Sequence, residues 1–221
     1  MNSPITSTSK TDSVLDTNRV LRNTYSLLSM TLLFSALTAS MSMILNLPHP
    51  GILITLIGYF GLLFATAKYR NSSLGLAFVF ALTGFMGYTL GPILNSYLNL
   101  SNGGEIVMTA MAGTGIIFLG LSTYALTTQK DFSFMKGFLM TGIVMGFLAG
   151  LAAFFFEIQT LSLTVSAVFV LLMSGLILYE TSNIIHGGET NYIMATVTLY
   201  VSIFNLFTSL LHLLGFMNGE D

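Results

Sequence analysis

The stretch Tyr179–Asn205, YETSNIIHGGETNYIMATVTLYVSIFN, carries a carboxylate, Glu180, inside a long apolar segment. A polar turn at residues 186–189, HGGE, follows this segment, and another apolar segment begins at about Tyr192. An ionisable side chain at membrane depth costs about 2.5–3.5 kcal/mol on insertion scales. We therefore expect Glu180 to have a function, and we expect the rest of the chain to hold this helical hairpin in a bilayer.

The composition of the 221-residue chain is that of a polytopic membrane protein. Hydrophobic residues make up 53% of the sequence and charged residues 7%, whereas a soluble globular domain carries about 25% charged residues. Backbone polar groups in a bilayer must be hydrogen-bonded internally, which long apolar runs achieve as helices. The alternating pattern of an outer-membrane barrel is absent from the sequence. The sequence therefore predicts an all-α bundle that forms one domain.

Seven apolar windows divide the chain, each close to the length that crosses a hydrocarbon core of about 30 Å. The N-terminal 18 residues are rich in Ser and Thr and lack the apolar core of a cleavable signal peptide. We expect a flexible cytoplasmic tail over residues 1–22 and a seven-helix transmembrane domain over residues 23–217. The windows are about Asn23–Asn46, Gly51–Ala67, Leu74–Leu98, Ile106–Leu126, Phe134–Phe156, Leu161–Ile185 and Tyr192–Phe216.

The distribution of Lys and Arg predicts the orientation of the bundle. If the seven segments alternate in direction, all seven cations fall on one side, which the positive-inside rule assigns to the cytoplasm. The N-terminus is then cytoplasmic and the C-terminus lies on the opposite side of the membrane. The turn at residues 186–189 carries no cation, so the alternative of a re-entrant last segment remains open. The seven cations are Lys10, Arg19, Arg22, Lys68, Arg70, Lys130 and Lys136.

Glycines recur at helix-packing spacing in two segments. Gly142, Gly146 and Gly150 share one helix face, and Gly87 and Gly91 share another. Such faces let helix backbones approach closely in lipid, either inside one subunit, which we favour, or at a dimer interface. Pro92 predicts a kink or an early end of the third helix.

Glu180 and a polar stripe on the last segment are the candidate site. Thr198, Ser202 and Asn205 share one helix face, which we expect to lie opposite Glu180. Burial disfavours the charged form of a carboxyl group, so Glu180 would act as a proton-sensitive switch or a weak cation ligand. The alternative is a neutral Glu180 that only joins helices by hydrogen bonds. His186 at the cytoplasmic turn is a further pH-sensing candidate, since the imidazole pKa lies near neutrality.

The sequence predicts no enzyme and no tightly bound cofactor or metal. The chain has no cysteine, which excludes disulfides and thiolate chemistry. No His and carboxylate residues share metal-ligand spacing on one helix. The residues themselves allow only a weakly held cation at Glu180.

Five segments resemble the Bax-inhibitor-1 (transmembrane Bax-inhibitor-motif) family over essentially the whole chain, in family order. The resemblance is strongest in the proteobacterial branch, whose members modulate the FtsH protease. The two most specific segments are ILYETSNIIHGGETNYI (Ile177–Ile193) and LYVSIFNLFTSLLHLLGF (Leu199–Phe216); the others are VLRNTY (Val20–Tyr25), TGFMGYTLGPILNSY (Thr83–Tyr97) and YALTTQKDFSF (Tyr124–Phe134).

The resemblance implies a bundle with the seventh helix at its centre and two alternative functions. One is an acidic pair on helices six and seven that forms a pH-sensitive latch over a calcium-permeable pathway. Here Glu180 fills the first position, but Ser202 stands where relatives have the second acid, so the latch is incomplete. The other function, which we favour, is binding to the FtsH-type membrane protease complex, restraint of its action on membrane substrates, and degradation from the N-terminal tail.

Overall fold

A computed structural model of the chain describes residues 6–218, with side chains from residue 17 onward. Within this range the chain forms seven α-helices and one short 3-10 turn, Ser133–Met135, and contains no strand. The helices are α1 (Thr6–Ile44), α2 (Ile52–Lys68), α3 (Ser73–Leu98), α4 (Gly103–Thr128), α5 (Lys136–Phe155), α6 (Gln159–Ile185) and α7 (Tyr192–Asn218). The prediction of an all-helical bundle is confirmed.

The first helix begins well before the window predicted from hydrophobicity. It starts at Thr6 rather than near Asn23, because α1 includes polar residues that an apolar window does not detect. Residues 1–5 of the expected tail lie outside the described range, and flexibility of the tail stays a prediction. Six helices are long and apolar enough to cross a membrane, while Ile52–Lys68 is a shorter apolar helix of 17 residues.

Helix α7 lies at the centre of the bundle. It packs against α1, α2, α3, α4 and α6, whereas the backbone of α5 packs closely against α6 alone among the described helices. More α7 residues are buried than in any other described helix. The arrangement implied by the family resemblance is therefore observed for five of the six surrounding helices.

Small residues bring α1 and α3 into very close contact. A Cβ atom added to Gly91 would lie 2.9 Å from the backbone oxygen of Ala39, so only glycine fits there. Pro92 follows and has no N–H to bond the carbonyl of Tyr88 one turn earlier. The hydroxyl of Ser42 donates to that carbonyl instead, at 3.0 Å. Helix α3 consequently continues through Pro92 to Leu98, and the expected early end does not occur.

The glycine face of α5 packs against another helix of the same subunit. Cβ atoms added to Gly142 and Gly146 would meet the side chains of Leu172 and Phe169 on α6, at 2.6 Å in each case. Gly150 faces the same helix through Val165. This face therefore packs α5 onto α6, as the favoured interpretation predicted.

Hydrogen bonds identify which turns share an end of the bundle. At one end, the side chain of Asn191 donates to the carbonyl of Arg70, which joins the α6–α7 turn to the α2–α3 turn. At the opposite end, the amide of Asn102 before α4 donates to the carbonyl of Asn218. Helix α7 therefore runs from one end of the bundle to the other.

Candidate functional site

Glu180 lies in the penultimate turn of α6 and is enclosed by the bundle. Only 5% of its surface is exposed. The side-chain amide of Asn183, less than one turn further along α6, lies beside the carboxyl group, and the charged side chains of Glu189 and Lys136 are close enough to act on it electrostatically. Burial of a carboxyl group is costly unless it is hydrogen-bonded or neutral. Glu180 thus has the buried environment that its position in an apolar segment predicts.

The polar stripe on α7 forms hydrogen bonds within its own helix. The hydroxyl of Ser202, which is fully buried, donates to the carbonyl of Thr198 at 2.7 Å. The amide nitrogen of Asn205 donates to the carbonyl of Val201 at 2.8 Å. Among the described residues, no hydrogen bond joins Glu180 to Thr198, Ser202 or Asn205. The structure therefore does not bring the candidate residues together as a bonded site, and sensing of pH or ions by them stays a prediction.

The turn between α6 and α7 depends on two glycines with different functions. Gly187 adopts a positive φ of 73°, which favours glycine and lets the helix end. The N–H of Gly188 donates to the carbonyl of Asn183 at 2.8 Å. A Cβ atom on Gly188 would overlap with the side-chain oxygen of Asn183, so glycine at this position allows the turn to lie close to that side chain.

Asn191 connects the start of α7 to the α2–α3 turn. Its side-chain oxygen accepts from the backbone N–H groups of Ile193 and Met194, both at 3.1 Å, which caps the helix. Its amide donates to the carbonyl of Arg70 at 3.1 Å and to the side chain of Asn71 at 2.8 Å. One side chain thus fixes the N-terminus of the central helix.

Ser182 and His186 connect the end of α6 to the α4–α5 loop. The buried hydroxyl of Ser182 donates to the carbonyl of Lys130 at 2.9 Å and accepts from the N–H of Phe132 at 3.1 Å. His186 Nδ1 donates to the carbonyl of Ser182 at 2.8 Å. In the loop, hydrogen bonds from Ser133 hold the pKa of Asp131 below its usual value, and His186 adds a smaller effect in the same direction. His186 therefore belongs to the group of side chains at the end of α6 that lies against the α4–α5 loop.

Tyr200 is a buried polar residue of α7 that the sequence analysis did not identify. Its hydroxyl lies 2.6 Å from the hydroxyl of Ser35 on α1 and donates to the carbonyl of Thr83 on α3 at 3.2 Å. Nearer the α6–α7 turn, the hydroxyls of Tyr25 and Thr181 are 3.2 Å apart and join α1 to α6. A tyrosine in an apolar helix needs a partner for its hydroxyl, and that requirement could have identified Tyr200 from sequence.

No group of three or more His, Asp or Glu side chains that could hold a metal ion occurs among the described residues. A calcium ion takes about six to eight oxygen ligands, and Glu180 is the buried carboxylate of the candidate site. Calcium binding stays a prediction.

Comparison with known proteins gives consistent similarity along most of the chain. The model of the family described as "Inhibitor of apoptosis-promoting Bax1" matches residues 17–219. An uncharacterized protein of Pseudomonas aeruginosa is 57% identical over 202 residues, which is 91% of each chain. The protein named "Modulator of FtsH protease YccA" of Escherichia coli K12 is 54% identical over 208 residues, 94% of each chain. A protein of Escherichia coli O6:H1 that is also 54% identical to the chain over 208 residues is named "Inner membrane protein YccA".

Proposed function

Because the chain belongs to the Bax-inhibitor-1 family, the inhibitors of apoptosis-promoting Bax1, we propose that it binds an FtsH-type ATP-dependent membrane protease and modulates its activity. The observation that carries the proposal is the 54% identity to the Escherichia coli modulator over 94% of both chains. Similarity of this extent covers all seven helices, including the central α7. The substrate class that we expect to be protected is membrane proteins.

We place all seven helices across the bacterial inner membrane. Helix α2 has 17 residues, which gives a length of about 26 Å, close to the thickness of the hydrocarbon core. Hydrogen bonds that join alternate turns at each end support this topology. The positive-inside rule then places the N-terminus in the cytoplasm and the C-terminus in the periplasm.

The N-terminal segment supports a second aspect of the proposal, degradation of the protein by its own partner. Residues 1–16 are rich in Ser and Thr, and a polar cytoplasmic segment would offer a protease a place to begin. Deletion of residues 1–16 should stop turnover and leave the membrane domain intact.

A reconstituted system tests the proposal directly. Purified protease and a membrane substrate are placed in proteoliposomes with increasing amounts of the full-length protein, and substrate degradation is followed over time. Degradation of the membrane substrate should slow until a saturating level is reached, whereas degradation of a soluble substrate should not change. The proposal of modulation would be refuted if the membrane substrate is degraded at the same rate with and without the protein, under conditions in which the protein and the protease co-purify.

The burial of Glu180 favours one alternative function, a pH-sensitive cation leak gated by this residue. The experiment measures calcium and proton flux in liposomes at acidic and neutral pH for the wild type and for Glu180→Gln. Glu105→Gln is a matched control, because Glu105 is exposed at the start of α4. Flux that depends on pH and is lost only in Glu180→Gln would support the leak. Flux no higher than that of empty liposomes would refute it.

A further inference from the structure

An apolar cavity of about 390 Å³ lies between α2 and α5, at the depth of the membrane-spanning segments. Residues from α2, α3, α5, α6 and α7 line it, and none of them is charged. Its volume is within the range of about 300–1,000 Å³ typical of sites for small ligands. Six aromatic side chains contribute to the wall, namely Tyr59, Phe60, Phe85, Phe147, Phe169 and Phe204.

The cavity opens toward the bilayer through a gap between α2 and α5, which pack on different neighbouring helices. Helix α2 packs on α3 and α7, and α5 packs on α6, so the described backbones of α2 and α5 do not touch. An edge-to-face contact of Phe60 with Phe147, with ring centroids 5.7 Å apart, bridges the gap. Phe60 and Val144, at the outer rim, are 46% and 58% exposed. Two aromatic rings thus narrow an opening that faces lipid.

A second cavity of about 310 Å³ extends this space along α5. The two cavities share Leu56, Phe147, Phe169 and Asn205, so they form one elongated groove. Gly146 and Gly150 line the second part. The groove is therefore longer than it is wide.

We propose that this groove binds an acyl chain of a bilayer phospholipid. A transmembrane helix does not fit, because a helix with its side chains is about 10–12 Å across, whereas the rings of Phe60 and Phe147 meet across the groove with centroids only 5.7 Å apart. An uncharged apolar wall favours a hydrocarbon chain over a polar solute. At this depth the surrounding medium is itself made of acyl chains, which are present at high concentration.

A bound chain would add to the few side-chain contacts that α2 and α5 make with each other. Unfilled space in a packed interior is destabilising because the lining atoms lose dispersion contacts. The acyl chain would therefore help to hold α5 in place, since α5 is otherwise attached through α6. This inference concerns the membrane domain and does not depend on binding to a protease.

Fluorescence quenching provides the test, because the chain contains no tryptophan. The full-length Phe204→Trp variant carries a single reporter on the central helix, at the wall of the groove. It is reconstituted in vesicles of phosphatidylethanolamine and phosphatidylglycerol, either unmodified or with dibrominated acyl chains. An acyl chain that enters the groove brings bromine next to the reporter, so we expect the brominated vesicles to quench most of its fluorescence.

Two neighbouring residues on α5 provide a matched pair of second substitutions. Val144 lines the groove and Met145 does not, although the two are similarly exposed, at 58% and 62%. Val144→Phe should plug the groove and restore the fluorescence of the reporter, whereas Met145→Phe should leave quenching unchanged. Phe169→Trp is a second reporter if the first variant fails to fold. Absence of quenching in a folded reporter variant, or equal quenching in the two double variants, would overturn the proposal.

Discussion

Replacement of glycine by alanine at three positions should change stability in an order set by what the new methyl group contacts. At Gly87 on α3, a Cβ atom would overlap with the backbone oxygen of Ser35 and the side chain of Thr38 on α1. At Gly142 on α5, it would lie 2.6 Å from the flexible end of Leu172. At Gly120 on α4, no atom lies within 4 Å. The chemical change is the same in all three variants, so the comparison isolates packing.

The expected changes in the free energy of unfolding differ in sign among the three variants. Overpacking against a backbone that cannot move costs about 1–3 kcal/mol, which Gly87→Ala should show in full. Gly120→Ala should gain up to about 1 kcal/mol, because alanine favours the helix over glycine. Gly142→Ala should fall between them, since rotation of the Leu172 side chain can relieve the contact. For a chain of this size, each kcal/mol corresponds to about 2–4 °C in the melting temperature.

Thermal unfolding in detergent, followed by circular dichroism at the helical minimum, measures the three shifts. Gly87→Ala should melt lowest, then Gly142→Ala, while Gly120→Ala should melt at or above the wild type. A second substitution, Thr38→Ala, removes the Thr38 hydroxyl, one of the three groups that the new methyl would meet, and should recover part of the loss. If Gly87→Ala and Gly120→Ala shift the melting temperature equally, close contact of α1 with α3 does not determine stability.

Three further predictions concern single polar groups. Asn191→Ala should lower stability by about 0.5–2 kcal/mol through loss of the cap of α7, measured by the same melting experiment, and an unchanged melting temperature would contradict the capping interpretation. Tyr200→Phe should cost about 1–3 kcal/mol because the buried hydroxyl of Ser35 loses its partner, and the added substitution Ser35→Ala should reduce that cost; no recovery would mean that the pair is not coupled. The lowered pKa of Asp131 means that its hydrogen bonds to Ser133 persist above the usual aspartate pKa and are lost as the pH falls through the lowered value. The amide resonance of Ser133 in a micelle should therefore titrate below about pH 3.9 and should not titrate in Asp131→Asn; a midpoint at or above that pH would contradict the structure.

Sequence alone predicted most of the helix ends, because hydrophobicity changes sharply at the membrane boundary. The third and sixth windows agree with α3 and α6 to within two residues at each end. The start of α1 could not be found this way, since a helix that continues into a polar segment leaves no change in hydropathy at its beginning. The sequence predicted a third window that runs through Pro92, but it could not show what supports the helix there, because the support is a hydroxyl donated by another helix.

The burial of Glu180 could be predicted, but the partners of the α7 stripe could not. The side chains of serine and asparagine in a helix can donate a hydrogen bond to a carbonyl one turn earlier. The sequence pattern of Ser202 and Asn205 is therefore the same whether they face Glu180 or bond the backbone of their own helix. The capping function of Asn191 could have been predicted from the sequence, because asparagine immediately before an apolar run is a helix-start signal. Ser182 had no such signal, since its partners lie fifty residues away in the α4–α5 loop.

The central position of α7 has a consequence for how the protein is made. Helix α7 follows the other six helices in the sequence, yet it contacts five of them. The six preceding helices are therefore synthesised before their central partner, and contacts such as that of Tyr200 with Ser35 and Thr83 can form only after α7 has been made. A nascent chain arrested before residue 192 would lack the helix at the centre of the bundle, so the bundle can close only when α7 joins it.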